Sequence, residues 1–403
     1  MARLGMVVDA DGHYAEIPSE WAAHMPLRHR GAVPKLAIEK DGRERFTIGD
    51  LWVAPQRSSG DSGNLAGNQM GKMGFGDGLN PRIRGSRKPI VQGRRLAQAH
   101  PGASNPQARL KFMDEEGISV SVLYPTLGLA SIPGIKDVKV GSFVASALND
   151  WVVERFCSAD PERLLPVATI PLHDPKYAVA ELERCVKKLG MRAAWVAPSP
   201  TMGRTIDDPA NDPVWKKASD LGIPMTTHHG SGGGGLKALG RDRNKTWLGA
   251  HAMGHSFEAM AAIVGLYTSG VFQRFPKLRW GFMEAGTGWL PFWLHQVHEH
   301  AERMEHLIPD VKLGKDINDH FHGRFIVTAE ADDLFINNAM DAAGDNAVVW
   351  ASDFPHFDCS LPGLADELRG RTDLSAKRMK MLGVDNAIEF FDIKVPKIRR
   401  AKK

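Results

Sequence analysis

The chain has 403 residues, 43% of them hydrophobic and 24% charged, with a formal net charge of +4 at neutral pH. That is the composition of a globular protein with a substantial core, long enough for one large barrel or two ordinary domains. It excludes a nucleic-acid binder, which needs a basic face interleaved with aromatics, and a membrane span, which needs about 20 consecutive apolar residues. Cys157, Cys185 and Cys359 are odd in number and lack metal-ligand spacing, so a disulfide framework is not expected. No apolar run behind basic residues reads as a signal peptide, and a cytoplasmic location is expected.

The first element is an apolar strand that ends in polar groups, VVDADGHY, with Asp11 and His13 two residues apart and so on one face. Gly12 between them allows a bend or a close approach. Residues 40–104 break the later rhythm. RERFTIGDLWVAP reads as a short hairpin, and residues 57–86 are rich in Gly, Ser and Asn with almost no apolar periodicity. Such a loop is functional or disordered, and its place after the first strand suits a lid or a partner-binding arm. Its glycines do not match a phosphate-binding pattern.

From about residue 105 strands and helices alternate. A helix is expected over 106–116, stopped by Gly117, then a strand over 118–125 and a helix over 137–157. A strand over 164–172 precedes a helix that Asp174 caps and Gly190 ends. Strands follow at 191–197 and 223–229, separated by a short helix at 214–222. Then come a helix over 255–268, strands at 278–286, 324–330 and 347–353, a helix near 375–383, and the closing run GVDNAIEFF. Trp289, Phe292 and Trp293 follow the sixth strand, placed either to pack as an ordinary helix or to line a mouth. Alternating strands and helices mean a parallel sheet, and eight strands point to a (β/α)8 TIM-like barrel spanning residues 1–393, with the 40–104 insertion and a basic tail at 394–403.

Chemistry in such a barrel gathers at the C-terminal ends of the strands. Asp11 and His13 end the first strand, His228 and His229 the fifth, Glu284 the sixth, Glu330 the seventh and Asp353 the eighth, with His356 just beyond and His255 near the start of the fifth helix. Each alone has an ordinary explanation. Ligand-type residues ending four or more strands, the first and last among them, indicate a metal site. Imidazoles and carboxylates without thiolates suit Zn²⁺, Mn²⁺ or Fe²⁺ in an open site.

DADGH followed by an acidic residue, Pro224 to His228 on one strand, GVFQRFPKLRWGFMEAGTGWLP and the terminal WASDFPH together resemble the amidohydrolase-related family, in its aminocarboxymuconate-semialdehyde decarboxylase-like branch. The resemblance runs from about residue 5 to about 390 outside the Gly-rich insert. It implies Asp11, His13, His228 and Asp353 as metal ligands and suggests a homo-oligomer. Two positions depart from the branch. Its first ligand is usually histidine or glutamate, here Asp11, and the catalytic histidine at the end of strand six is here Glu284. With Glu16, these carboxylates make a set acidic enough for one or two ions, with His229, His255, Glu330 and His356 as further ligands or supports.

Three readings follow. The first is a metal-dependent hydrolase or non-oxidative decarboxylase of a small carboxylate- or amide-containing molecule, with Asp353, Glu284 and His228 as catalytic residues. The second is a dinuclear Mn/Fe oxygenase fed by a reductase. The third is a metal-bearing subunit paired with an active paralogue. On reference values, Glu284 is a poor acid at neutral pH.

Overall fold

The computed structural model describes residues 4–394 apart from 33, 39, 41, 43, 49–50, 53–77, 87, 91–94, 231–238, 240–243, 245 and 314–315. In chain order its strands are β1 Val8–Tyr14, β2 Pro34–Ile38, β3 Glu44–Ile48, β4 Leu51–Trp52, β5 Arg82–Ile83, β6 Val120–Pro125, β7 Leu164–Pro166, β8 Ala168–Thr169, β9 Ala194–Val196, β10 Met225–Thr227, β11 Trp280–Phe282, β12 Phe325–Ala329, β13 Val348–Trp350 and β14 Ser360–Leu361. The central ones are short, and β1, β6, β9, β10, β11, β12 and β13 are buried along their whole length. Strands of a parallel sheet are covered on both faces, so apolar residues run continuously instead of alternating.

The parallel ladder falls into two sheets, β1–β6–β7 and β13–β12–β11–β10–β9–β8, rather than the one continuous ring expected. Only Val167 separates β7 from β8. Its N–H donates to Leu123 O at 3.0 Å, and the next N–H, of Ala168, donates to Ala193 O at 2.9 Å. One extended segment therefore meets β6 on one side and β9 on the other. Just past β13, Asp353 N donates to Asp11 O at 3.0 Å, and His13 N donates to Phe354 O at 2.7 Å. The last strand thus hands its polar end directly to the first.

The expected helices form where capping chemistry marks them. Asn105 accepts from the N–H groups of Gln107 and Ala108 to start Pro106–Glu116, and Gly117 ends it at φ 73°. Asp174 starts Pro175–Leu189 and Gly190 ends it at φ 69°. The helix expected from residue 255 begins eight residues earlier, at Trp247–Thr268. Its true cap is Thr246, whose hydroxyl accepts from Gly249 N at 3.1 Å. The glycines and histidines of its first turns hid the apolar period. Where RERFTIGDLWVAP is expected to form a hairpin, β3 pairs antiparallel with β4, with β2 added as a third antiparallel strand; residues 53–55 of that stretch lie outside the described residues. The lid expected of 57–86 lies largely outside the described residues, as does the basic tail from 395. The far end of that segment is pinned, because β5 pairs in parallel with β14. Among the described residues no helix is long and apolar enough to cross a membrane.

Gly12 has a specific reason to be glycine. The register of β1 against β6 shifts between Asp9 and Gly12, and a Cβ at Gly12 would stand 2.5 Å from both Asp9 Oδ2 and Ser121 Oγ. What approaches closely there is a buried carboxylate–hydroxyl pair. We expect Gly12→Ala to destabilise the protein by about 1–3 kcal/mol, the usual cost of overpacking, read as a lower denaturant midpoint. A midpoint equal to wild type would show that this pair yields freely.

Candidate metal centre

Two buried groups hold the first strand in place before any ligand is considered. The Asp9 carboxylate accepts from Ser121 Oγ at 2.7 Å, Ser352 N at 2.9 Å, Ser352 Oγ at 2.8 Å and Asp11 N at 3.3 Å. Burial pushes its pKa up to about 6 despite these donors. Arg109, 1% exposed, donates from Nε to Gly102 O at 2.8 Å and from Nη2 to His13 O, and its guanidinium lies 4.5 Å from the Phe354 ring centre. Nothing in local sequence distinguished Arg109, since it sits in a helix of ordinary composition.

Four side chains converge above this base. His13 Nε2 lies 3.6 Å from Asp11 Oδ1, 3.3 Å from Asp353 Oδ1 and 3.2 Å from His228 Nε2, and His228 Nε2 lies 3.5 Å from Asp11 Oδ1. The opposite ring nitrogens fix the tautomers. His13 Nδ1 meets Pro125 O at 3.1 Å, and His228 Nδ1 meets His229 O at 3.0 Å. A carbonyl only accepts, so each Nδ1 carries a hydrogen and each ring turns its Nε2 toward the cluster. Burial, then the charge of His356, lowers the His13 pKa to about 4, so this ring is neutral at pH 7. The two Nε2 atoms thus face each other beside Asp11, whose two carboxylate oxygens are buried without any hydrogen-bond partner. Such an arrangement is costly unless a cation stands among the four groups, and these donors suit a divalent transition metal.

The remaining predicted residues fall into three places. Glu284, at φ 47°, follows β11 with its N–H on Thr328 Oγ1 at 2.7 Å. Its Oε2 lies 3.3 Å from both His228 Nε2 and His255 Nδ1. Burial, then the charges of Asp353, Asp358, Asp11 and Glu330, holds its carboxyl well above the usual range. The three-dimensional surroundings therefore correct the expectation, taken from reference values, of a carboxylate already ionised at neutral pH. His356 donates from Nδ1 to Asp353 Oδ1 at 2.8 Å, and its ring lies 4.1 Å from that of His13. Burial works to lower its pKa, but Asp353, with Asp358 and Asp11, outweighs this and raises it above the usual value. The same partnership, with His13, overcomes burial and holds Asp353 well below the carboxylate range. Glu330 is exposed and lines, with Asp11, Glu284, Thr328, Asp333 and Asp353, a cavity of about 120 Å³. His229 is buried with its ring 5.2 Å from that of His255.

Glu16 does not join the cluster. Its two oxygens accept from Leu127 N at 2.9 Å and Gly128 N at 2.8 Å, so it anchors the start of the Leu127–Ser131 helix. An acidic residue three positions beyond His13 looked like a ligand; the chain has already left β1 by then and turned toward β6. Trp293 also packs as a helix residue, with Nε1 on Met260 O at 2.9 Å.

A family model described as Amidohydrolase matches residues 8–393. Relatives include a gamma-resorcylate decarboxylase of Rhizobium radiobacter, 27% identical over 71% of this chain and 86% of that protein. A 2-amino-3-carboxymuconate-6-semialdehyde decarboxylase of Dictyostelium discoideum is 24% identical over 76% of this chain and 82% of that one. Among solved structures, a dihydroxybenzoic acid decarboxylase of Polaromonas sp. JS666, with bound manganese and the inhibitor 2-nitroresorcinol, matches with a TM-score of 0.60, at 20% identity over 96% of this chain and 97% of that one.

We expect Asp353→Ala and His228→Ala each to lower bound metal sharply in elemental analysis of the purified protein. Glu16→Gln keeps its metal but loses about 1–3 kcal/mol of stability, because a side-chain amide then faces a backbone N–H. Full metal in both ligand variants would contradict the centre, and metal loss in Glu16→Gln would return Glu16 to it.

Proposed function

The chain belongs to the amidohydrolase family, in its decarboxylase-bearing branch, and on that premise we propose that it is a metal-dependent decarboxylase of a small aromatic carboxylate carrying a hydroxyl beside the carboxyl group. The observation that carries this reading is the pair of facing imidazole nitrogens next to the unpartnered Asp11 carboxylate, opening on a small cavity. The relatives favour decarboxylation over amide hydrolysis, and they lend no support to the dinuclear oxygenase or partner-subunit readings. We further propose that the two parallel sheets make one (β/α)8 barrel. The backbone bonds from Asp353 to Asp11 and from His13 to Phe354, and the shared β7–β8 segment, support this closure.

Asp11, His13, His228 and Asp353 would hold the ion, which when bound supplies positive charge to fix a carboxylate and a neighbouring oxygen. The chain's own residues then manage one proton. The carbon–carboxyl bond breaks, its electron pair stays on the carbon, CO2 leaves, and the carbon takes a proton. Asp353, which lines the cavity from a left-handed backbone at φ 52°, would pass that proton on to the carbon. His356, with its raised pKa, stores the proton 2.8 Å away, and Thr126 Oγ1 steadies the far side of its ring at 3.3 Å.

The test is CO2 release from a panel of ortho-hydroxylated benzoates under strict anaerobiosis. The chelator-stripped protein should be silent and recover with Mn²⁺, and product formed in D2O should carry deuterium where the carboxyl group stood. No CO2 from any member by the metal-loaded protein would sink the reading. The pH profile follows from His356. Its pKa is raised and its protonated form is the active one, so turnover is full below that pKa and falls as pH rises through it. We expect His356→Asn to slow turnover about 10²-fold or more and to remove this alkaline fall.

A further inference from the structure

We propose that His251, His255 and Glu284 form a second divalent-cation site beside the first, with Glu284 shared between the two. The two histidines stand four apart on Trp247–Thr268, and residues at that spacing lie on one helix face, the arrangement by which helical histidine pairs hold metals. Their ring centres are 5.1 Å apart. His255 is 8% exposed, and neither of its ring nitrogens takes part in a hydrogen bond. Its Nδ1 lies 3.3 Å from Glu284 Oε2, and one ligand atom from each of the three residues lies within 4.8 Å of the others. Metal bonds of about 2.0–2.2 Å put ligand atoms about 3–3.6 Å apart, so small side-chain shifts close this set around an ion.

Two further contacts point the same way. Asp358 Oδ2 lies 3.9 Å from His251 Nε2, and its Oδ1 is buried without a hydrogen-bond partner, so a fourth ligand is in reach. Glu284 Oε2 stands equally close to His228 of the first centre and His255 of the second, at 3.3 Å each. A carboxylate placed between two imidazole groups is suited to bridge. Two imidazoles and one or two carboxylates without thiolate favour zinc over calcium or magnesium. The inference shares only Glu284 with the decarboxylase reading. A Glu284 bound to metal carries no proton, which leaves proton delivery to Asp353 and His356.

The full chain, stripped by chelator, is titrated with ZnCl2 alone, desalted and analysed for zinc and protein. Wild type should hold about two zinc ions per chain. His255→Ala and His251→Ala should each hold about one. Asp353→Ala should lose the first ion and keep the second. Should His255→Ala fail to fold, His251→Ala removes the same ion from a side chain that is 21% exposed. Titration with Co²⁺ gives a second readout, because the second equivalent should add its own visible absorption in wild type and none in the histidine variants. One zinc per wild-type chain overturns the proposal, as do two zinc ions in His255→Ala. One zinc in wild type with none in Asp353→Ala overturns it while leaving the first centre standing. Two ions in both wild type and Asp353→Ala, with one in His255→Ala, supports it and strikes at the first centre instead.

Discussion

Everything at this site hangs on a buried carboxylate that touches no substrate. Asp9 takes hydrogen bonds from Ser121 on β6 and from Ser352 beyond β13 while sitting on β1. Three strands are tied to one charge. Burying that charge is unfavourable, as its raised pKa shows, and only a full set of donors offsets the cost. The tie fixes where Asp11 and His13 emerge and sets the gap to Asp353. Gly12 is the point at which the backbone gives way to admit it.

Much of the centre was legible because its ligands end strands, and strand ends in an α/β protein are marked by apolar runs. VVDADGH, IPMTTHH and AVVWASD each read as a buried strand delivering a polar group, and His13, His228 and Asp353 do meet. Helix boundaries were legible where Asp174, Gly117 and Gly190 act locally. What failed depended on partners distant in sequence. Glu16 has the chemistry of a ligand and the location of a helix anchor, and only the turn toward β6 decides between them. Arg109 is one arginine among many until the carbonyl of His13 is beside it. The start of Trp247–Thr268 was hidden because a helix that buries histidines loses its apolar stripe.

Glu284 shows how far a reference value can mislead. Taken alone it is an ordinary acid. Placed among Asp353, Asp358, Asp11 and Glu330 and withdrawn from water, it resists ionisation. The same crowd of like charges that holds its proton also attracts cations. An acidic pocket of this kind has two stable conditions, protonated without metal or ionised with it, and the histidines around Glu284 favour the second.

Two of the carboxylates at the cavity sit on backbone that side-chain-bearing residues avoid, Glu284 at φ 47° and Asp353 at φ 52°. Such residues cost on the order of 1–3 kcal/mol each in the folded state. A ligand at a hundredfold excess over its dissociation constant returns about 2.7 kcal/mol, a sum of the same size. Heat resistance and ion supply are therefore coupled in this protein. Cells starved of the ion would hold a chain that melts earlier and is cleared sooner, so its abundance would follow the availability of the metal with no regulator involved.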